Sequence, residues 1–177
     1  SEKTKKINHF LLFSGTGSVS SIQRTAKLLE AELRLKELRS KSKPTVKQAA
    51  NLLSTLTYSQ IRQYSTIPNI VGSLLGGFNE DGSVELYTIE PAGSVIKVDD
   101  YDANFGSGMP YVLGLLERQY NKNITIKQGV ELAKEALMSS TQRDTGYGYG
   151  IDIFAITKEG IKKVVEQEIK SQLVDNH

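Results

Sequence analysis

The chain reads as an α+β protein, a four-layer αββα sandwich of two mainly antiparallel sheets flanked by helix pairs. Three observations predict it. Short apolar and alternating runs fall in blocks, separated by segments of helical period, in the order strands, two helices, three strands, two helices, two strands. The helical segments come in pairs rather than alternating one for one with strands, which argues against a doubly wound fold. A length of 177 residues with 38% hydrophobic content fits one domain, residues 1–177, with enough apolar material for a sizeable core.

Taken in order, Thr4 to Phe13 alternates weakly and then turns apolar at Phe10, Leu11, Leu12 and Phe13, which suits a strand pair entering a core. Ser14-Gly15-Thr16-Gly17-Ser18 is a run of small residues and reads as a turn. A long helix follows, with Ile22, Ala26, Leu29 and Leu33 on one face at four- and three-residue steps. Lys43-Pro44 breaks it. Thr45 and Gln48 have the spacing of a capping box, opening a second helix through Ala49, Leu52, Leu53 and Leu56. Two helices on so short a connector should pack as an antiparallel pair.

The period then changes. Ile70 to Phe78 is an apolar run containing Gly76-Gly77, Asn79 to Gly82 is a turn, and Val84, Leu86 and Thr88 alternate on a returning strand. Pro91-Ala92-Gly93 makes another turn and Val95 to Val98 a third strand. Gly106-Ser107-Gly108 precedes a helix whose Pro110 suits a first-turn position. Thr125 and Gln128 repeat the capping-box spacing at the head of a helix running from Ile126 to about Gln142. Val130, Ala133 and Leu137 are its expected core face. A strand from Ile151 to Thr157, a turn at Gly160, a short strand and a polar tail finish the chain.

Composition excludes several function classes. The chain has no cysteine, which removes disulfides, thiolate catalysis and cysteine-based metal sites together. His9 and His177 are the only histidines, so a Ser-His-Asp triad would have to rest on His9, and nothing near it supports one. A net charge of +2 is too small to argue for nucleic acid or an anionic membrane. The basic cluster from Lys36 to Lys43 has no interleaved aromatic for base stacking and reads as a solvated helix end. No apolar run approaches the ~18 residues of a membrane span and no signal-peptide pattern opens the chain, so a soluble, cytoplasmic protein is expected.

The most informative stretch is Arg143 to Asp152, Arg-Asp-Thr-Gly-Tyr-Gly-Tyr-Gly-Ile-Asp. Three alternating glycines between a helix and a strand imply unusual backbone angles or close packing. Asp144 falls just past a helix end, where a carboxylate gains nothing from the helix dipole, and that placement invites a functional explanation. A second feature is the Gly15 to Ser18 segment ahead of a helix N-terminus, where unpaired N–H groups make an anion site. No Gly-Lys-Ser/Thr follows, so it is not a Walker loop. The same geometry suits a developing oxyanion in acyl transfer.

The Arg143 to Asp152 run resembles the signature of β-type subunits of the 20S proteasome, closest to the archaeal type, and the resemblance extends in order from Ser1 to about Lys163. That family consists of threonine-dependent proteases of the N-terminal nucleophile hydrolase class, and the resemblance implies their αββα fold. It also implies site residues. Lys6, in Lys5-Lys6-Ile7, takes the place of the lysine that reaches the nucleophile. Gly17 supplies the backbone N–H of the oxyanion hole, Ser107 contacts the terminal amine, and Asp144 orients the serine and amine network. Tyr147 stands where the family commonly has a small hydroxyl residue. Thr4, Asn8, Gly15, Val19 and Gln23 match the first specificity pocket. Val19 and Gln23 lie four apart on one helical face, Gly15 leaves room, and no residue of the set carries a charge, so tolerance for apolar or bulky side chains is expected.

The resemblance further implies partners: α-type and other β-type subunits in stacked seven-membered rings, and unfolded proteins as substrates. No metal, organic cofactor, nucleic acid or membrane is implied. The family's N-terminal threonine and first strands precede the segment that matches Ser1, so the nucleophile is expected upstream of Ser1. One alternative is a non-catalytic β-subunit of the same particle, with an unprocessed or disordered N-terminus. Another, from a different class, is a phosphate- or nucleotide-binding α/β module using the Gly15 to Ser18 segment.

Overall fold

The structure is a computed structural model that describes residues 3–64, 70–100, 116, 119–141 and 149–169. Among the described residues, seven strands and three helices are ordered β1 (Thr4–Asn8), β2 (Leu11–Gly17), α1 (Val19–Ser40), α2 (Val46–Tyr64), β3 (Ile70–Phe78), β4 (Val84–Ile89), β5 (Val95–Lys97), α3 (Ile126–Thr141), β6 (Tyr149–Thr157) and β7 (Gly160–Ile169). Strands β1 to β5 form one antiparallel sheet in sequence order, and β6 and β7 form a second. The α+β class and its two antiparallel sheets are as the sequence predicts.

The chain divides into two compact units, one of residues 2–99 with 156–161, the other of residues 1, 100–155 and 162–177. In the first, α1 rests on β1 and β2, α2 rests on β3, β4 and β5, and the two helices touch each other. The predicted α1 face is buried in full: Ile22, Ala26, Leu29 and Leu33 join Leu11, Phe13, Val46, Ala49, Leu53, Leu75 and Ile89 in one cluster. Helix α1 ends just before the predicted break, with Lys41 in the left-handed region at φ 58 and its N–H donating to the Glu37 carbonyl at 2.8 Å. The Thr45 capping box forms: Gln48 N–H donates to Thr45 Oγ1 and Thr45 N–H to Gln48 Oε1, both at 3.0 Å.

The paired glycines of β3 mark close approach on both faces of the sheet. A Cβ on Gly77 would collide with the Phe10 carbonyl and lie 2.8 Å from Leu11 Cδ2; one on Gly76 would lie 2.8 Å from Ile156 Cδ1. The β3–β4 hairpin turns where expected, with Gly82 at φ 86 and its N–H donating to the Asn79 carbonyl at 2.9 Å.

Three sequence expectations require correction. The small-residue run Ser14 to Ser18 is not a turn: β2 continues through Gly15, opposite Ser73, and Thr16, opposite Gly72, and bends only at Gly17. Small residues lower strand propensity, but pairing with β3 on one side and β1 on the other overrides it. Strand β7 is ten residues, not short. In the second unit, α3 buries Leu132 and Ala136, against Leu116, Tyr120 and Ile124, rather than the expected Val130, Ala133 and Leu137. The apolar residues of α3 span two overlapping faces, and the residues ahead of the helix decide which one is covered. Its capping box, Thr125 with Gln128, does form. The expected helix after Gly108 falls almost wholly outside the described residues, as do the polar tail from residue 170 and the segment 142–148.

Candidate active site

The described residues of the expected site fall in the β1–β2 hairpin and the first two turns of α1. Lys6 is an exposed residue of edge strand β1, paired with Leu12 of β2. The pairing register slips between Lys6 and Asn8, leaving Ile7 as an extra residue. Such a bulge interrupts strict alternation and re-aims side chains. Lys5, Lys6 and Ile7 line one cavity of about 200 Å³, together with Gln23, Ala26, Lys27 and Glu30 of α1. Two residues taken from the family pattern, Lys6 and Gln23, thus meet at one hollow.

The other expected pocket residues have local duties. Thr4 Oγ1 lies 3.0 Å from Ser14 Oγ across the β1–β2 pair. Asn8 Oδ1 accepts the Phe10 N–H at 3.0 Å, holding the hairpin turn. Gly15 donates its N–H to the Lys3 carbonyl at 2.9 Å. The room expected beside Gly15 is occupied on its inner side, where a Cβ would meet Ile22 Cγ1 at 3.0 Å and Phe13 Cζ at 3.4 Å. Val19 and Gln23 are both half-buried, one turn apart on α1.

Gly17 connects sheet and helix. Its φ of 124 lies where L side chains are strained, and the strand register shifts between Thr16 and Gly17. Ser18 is the α1 N-cap: its Oγ accepts the Ser21 N–H at 3.2 Å and donates to Ser21 Oγ at 2.7 Å. The chain therefore leaves β2 and enters α1 within two residues. This places the Gly17 peptide beside a helix N-terminus, where the dipole favours developing negative charge.

Ser107, Asp144 and Tyr147 lie outside the described residues. Lys5, Lys27 and Glu30 are cavity residues that sequence reasoning missed. Gln23, Ala26, Lys27 and Glu30 step along α1 at the three- and four-residue spacing of one helical stripe, and that spacing was the available signal. Among the described residues, no group of three or more His, Asp or Glu side chains stands together as a metal site, and no helix is long and apolar enough to cross a membrane.

Comparison with known proteins is consistent along the chain. A model of the proteasome subunit family matches residues 1–156. The chain is 40% identical over 163 residues to a protein named proteasome subunit beta from Nanoarchaeum equitans, covering 92% of this chain and 81% of that one. It is 34% identical over 173 residues to its namesake from Methanopyrus kandleri, covering 97% of this chain and 80% of that one. A third, from Ferroglobus placidus, is 36% identical over 172 residues, covering 97% and 79%.

Proposed function

This chain belongs to the proteasome subunit family, as a β-type subunit of the core particle, and we propose that it is a catalytic one, a threonine-type endopeptidase. The observation that supports this reading most is the meeting of Lys6 and Gln23 at one cavity beside α1, the helix that Gly17 opens.

The nucleophile is an N-terminal threonine ahead of Ser1. Its hydroxyl attacks the carbonyl of an unfolded substrate while its own amine takes the hydroxyl proton. The Lys6 ammonium, a fixed positive charge nearby, favours loss of a proton from both groups, so the amine is free to act as a base near neutral pH. Negative charge on the tetrahedral intermediate is met by the Gly17 N–H. The amine then returns the proton to the departing nitrogen, and water hydrolyses the acyl-threonine ester. Ser107 and Asp144 position the amine. No metal or organic cofactor has a step.

The same reading gives one functional domain over residues 1–177, seven-membered β-rings stacked between α-rings in a hetero-oligomer, and a cytoplasmic location. A second reading, a non-catalytic β-subunit of the same particle, is favoured by Tyr147: a phenol keeps an oxygen but not the reach of a small hydroxyl residue. Intact-mass and N-terminal analysis of the chain in purified particles separates the two. Catalysis predicts a mature chain opening with a free threonine upstream of Ser1. A retained propeptide, or any other first residue, contradicts it.

A further inference from the structure

Gly17 allows an unusual backbone angle, but a glycine does not hold one by itself. We infer that Ser18 and Ser21 are positioning residues for the Gly17 N–H, a hydroxyl pair that keeps this donor aimed at the developing oxyanion. The inference rests on the peptidase reading, which gives the Gly17 N–H its role.

With no Cβ, a glycine visits positive and negative φ about equally readily. The Gly17 φ of 124 therefore has to be imposed by its neighbours. Upstream, β3 does this: Thr16 pairs with Gly72, and its Oγ1 donates to the Gly72 carbonyl at 3.3 Å. The pairing register then shifts between Thr16 and Gly17, which leaves the downstream side to the helix. There Ser18 is fixed at φ −75 and ψ 137 by three bonds. Its carbonyl accepts the Ile22 N–H at 3.0 Å, its Oγ accepts the Ser21 N–H at 3.2 Å, and the same Oγ donates to Ser21 Oγ at 2.7 Å.

Ser21 gives the pair its rigidity. It is 3% exposed, whereas Ser18 is exposed, so a hydroxyl held in the core anchors one at the surface. At the heads of α2 and α3 the third helical residue is a glutamine, which reaches back to the N–H of its cap residue. A serine is too short for that and bonds the cap hydroxyl instead. Ser18 Oγ thus uses both donor and acceptor capacity on one residue, which fixes its rotamer. Releasing the pair lets the first turn of α1 fray and Gly17 relax toward its other φ values, and the peptide carrying its N–H turns with it. A misdirected donor costs most where charge develops, in the transition state rather than in substrate binding.

Hydrolysis of a fluorogenic peptide by assembled particles provides the test. Ser18→Ala is expected to lose about tenfold in kcat with KM little changed, and Ser18→Thr, which returns the hydroxyl, to stay within about twofold of the unmodified rate. Ser21→Ala keeps the N–H bond to the cap and removes only its hydroxyl partner. It is expected to lose about threefold in kcat, and it carries the test if Ser18→Ala does not assemble. Thr45→Ala removes the equivalent cap from α2 and should lower the melting temperature by a similar amount with kcat unchanged. That comparison separates lost helix stability from lost aim. Unchanged kcat in both serine variants, or an equal loss in Thr45→Ala, overturns the inference. Lys6→Ala particles run beside them separate the two claims. Hydrolysis that falls in Lys6→Ala but in neither serine variant defeats the positioning role alone. Hydrolysis indifferent to Lys6→Ala defeats the peptidase site, and the positioning role with it.

Discussion

Gly17 is the residue whose conformation bears most directly on the proposed chemistry. Its φ of 124 turns the chain from β2 into α1, and the proposed oxyanion donor is its own N–H. A Cβ there would cost about 1–2 kcal/mol or swing the peptide to a relaxed angle. Gly17→Ala is therefore expected to melt several degrees lower and to lose at least about tenfold in kcat for a fluorogenic peptide, with KM little changed. An unchanged kcat in an assembled Gly17→Ala particle would remove this N–H from the mechanism. The alternating glycines made such a break legible in the sequence. The filling of the space beside Gly15 by Ile22 was not, because it depends on how α1 lies across β2. The contribution of Lys5 was hidden for a related reason: it depends on how α1 lies against β1.

Elements were legible where a local rule governs them. Both capping boxes form at the residues their spacing marks, and the Asn79 to Gly82 hairpin turn closes as its composition implies. Faces that depend on tertiary partners were harder, as α3 demonstrates. The same distinction applies to a polar cluster no local pattern reveals. Asn79 Oδ1 accepts the Val46 N–H at 2.9 Å, tying the β3–β4 turn to the head of α2, while its Nδ2 donates to Glu85 Oε1 at 2.8 Å. Tyr87 donates its hydroxyl to Glu85 Oε2 at 2.6 Å, and Lys97 of β5 lies 3.6 Å from the same oxygen.

Burial, then the hydrogen bond to Glu85 and its charge, push the Tyr87 hydroxyl from 10.0 up to about 12. The hydrogen bond from Tyr87, then that from Asn79, hold Glu85 below the usual carboxylate range. The signs follow. Between pH 10 and about 12 the unfolded chain releases the tyrosine proton while the folded chain keeps it, so stability falls as pH rises through that window. The contribution from Glu85 is present above its ordinary value and is lost as pH falls through its lowered one. Denaturant titrations should therefore show an alkaline loss of roughly 3 kcal/mol from Tyr87, two pH units at about 1.4 kcal/mol each. Tyr87→Phe should flatten that limb; an identical alkaline limb in the variant would dissolve the assignment.

At the scale of the whole molecule, the family was legible because its signature runs in order through the chain rather than in one motif. Lys5-Lys6-Ile7, the glycine ahead of α1 and Gly106-Ser107-Gly108 each have an ordinary structural reading alone, whereas the Arg143 to Asp152 run does not. Their order is what led to the β-type subunit that the relatives share. The two antiparallel sheets and their helices were equally readable from the block order of periods. The proposed convergence of Lys6 with Ser107 and Asp144 was not, and the latter two lie outside the described residues. That convergence is the central claim, and hydrolysis of a fluorogenic peptide by particles carrying Lys6→Ala tests it most directly. The account predicts assembled particles whose rate falls by about 100-fold or more, because the terminal amine and hydroxyl lose the charge that activates them. Particles that assemble and cleave within a few-fold of the unmodified rate would contradict it.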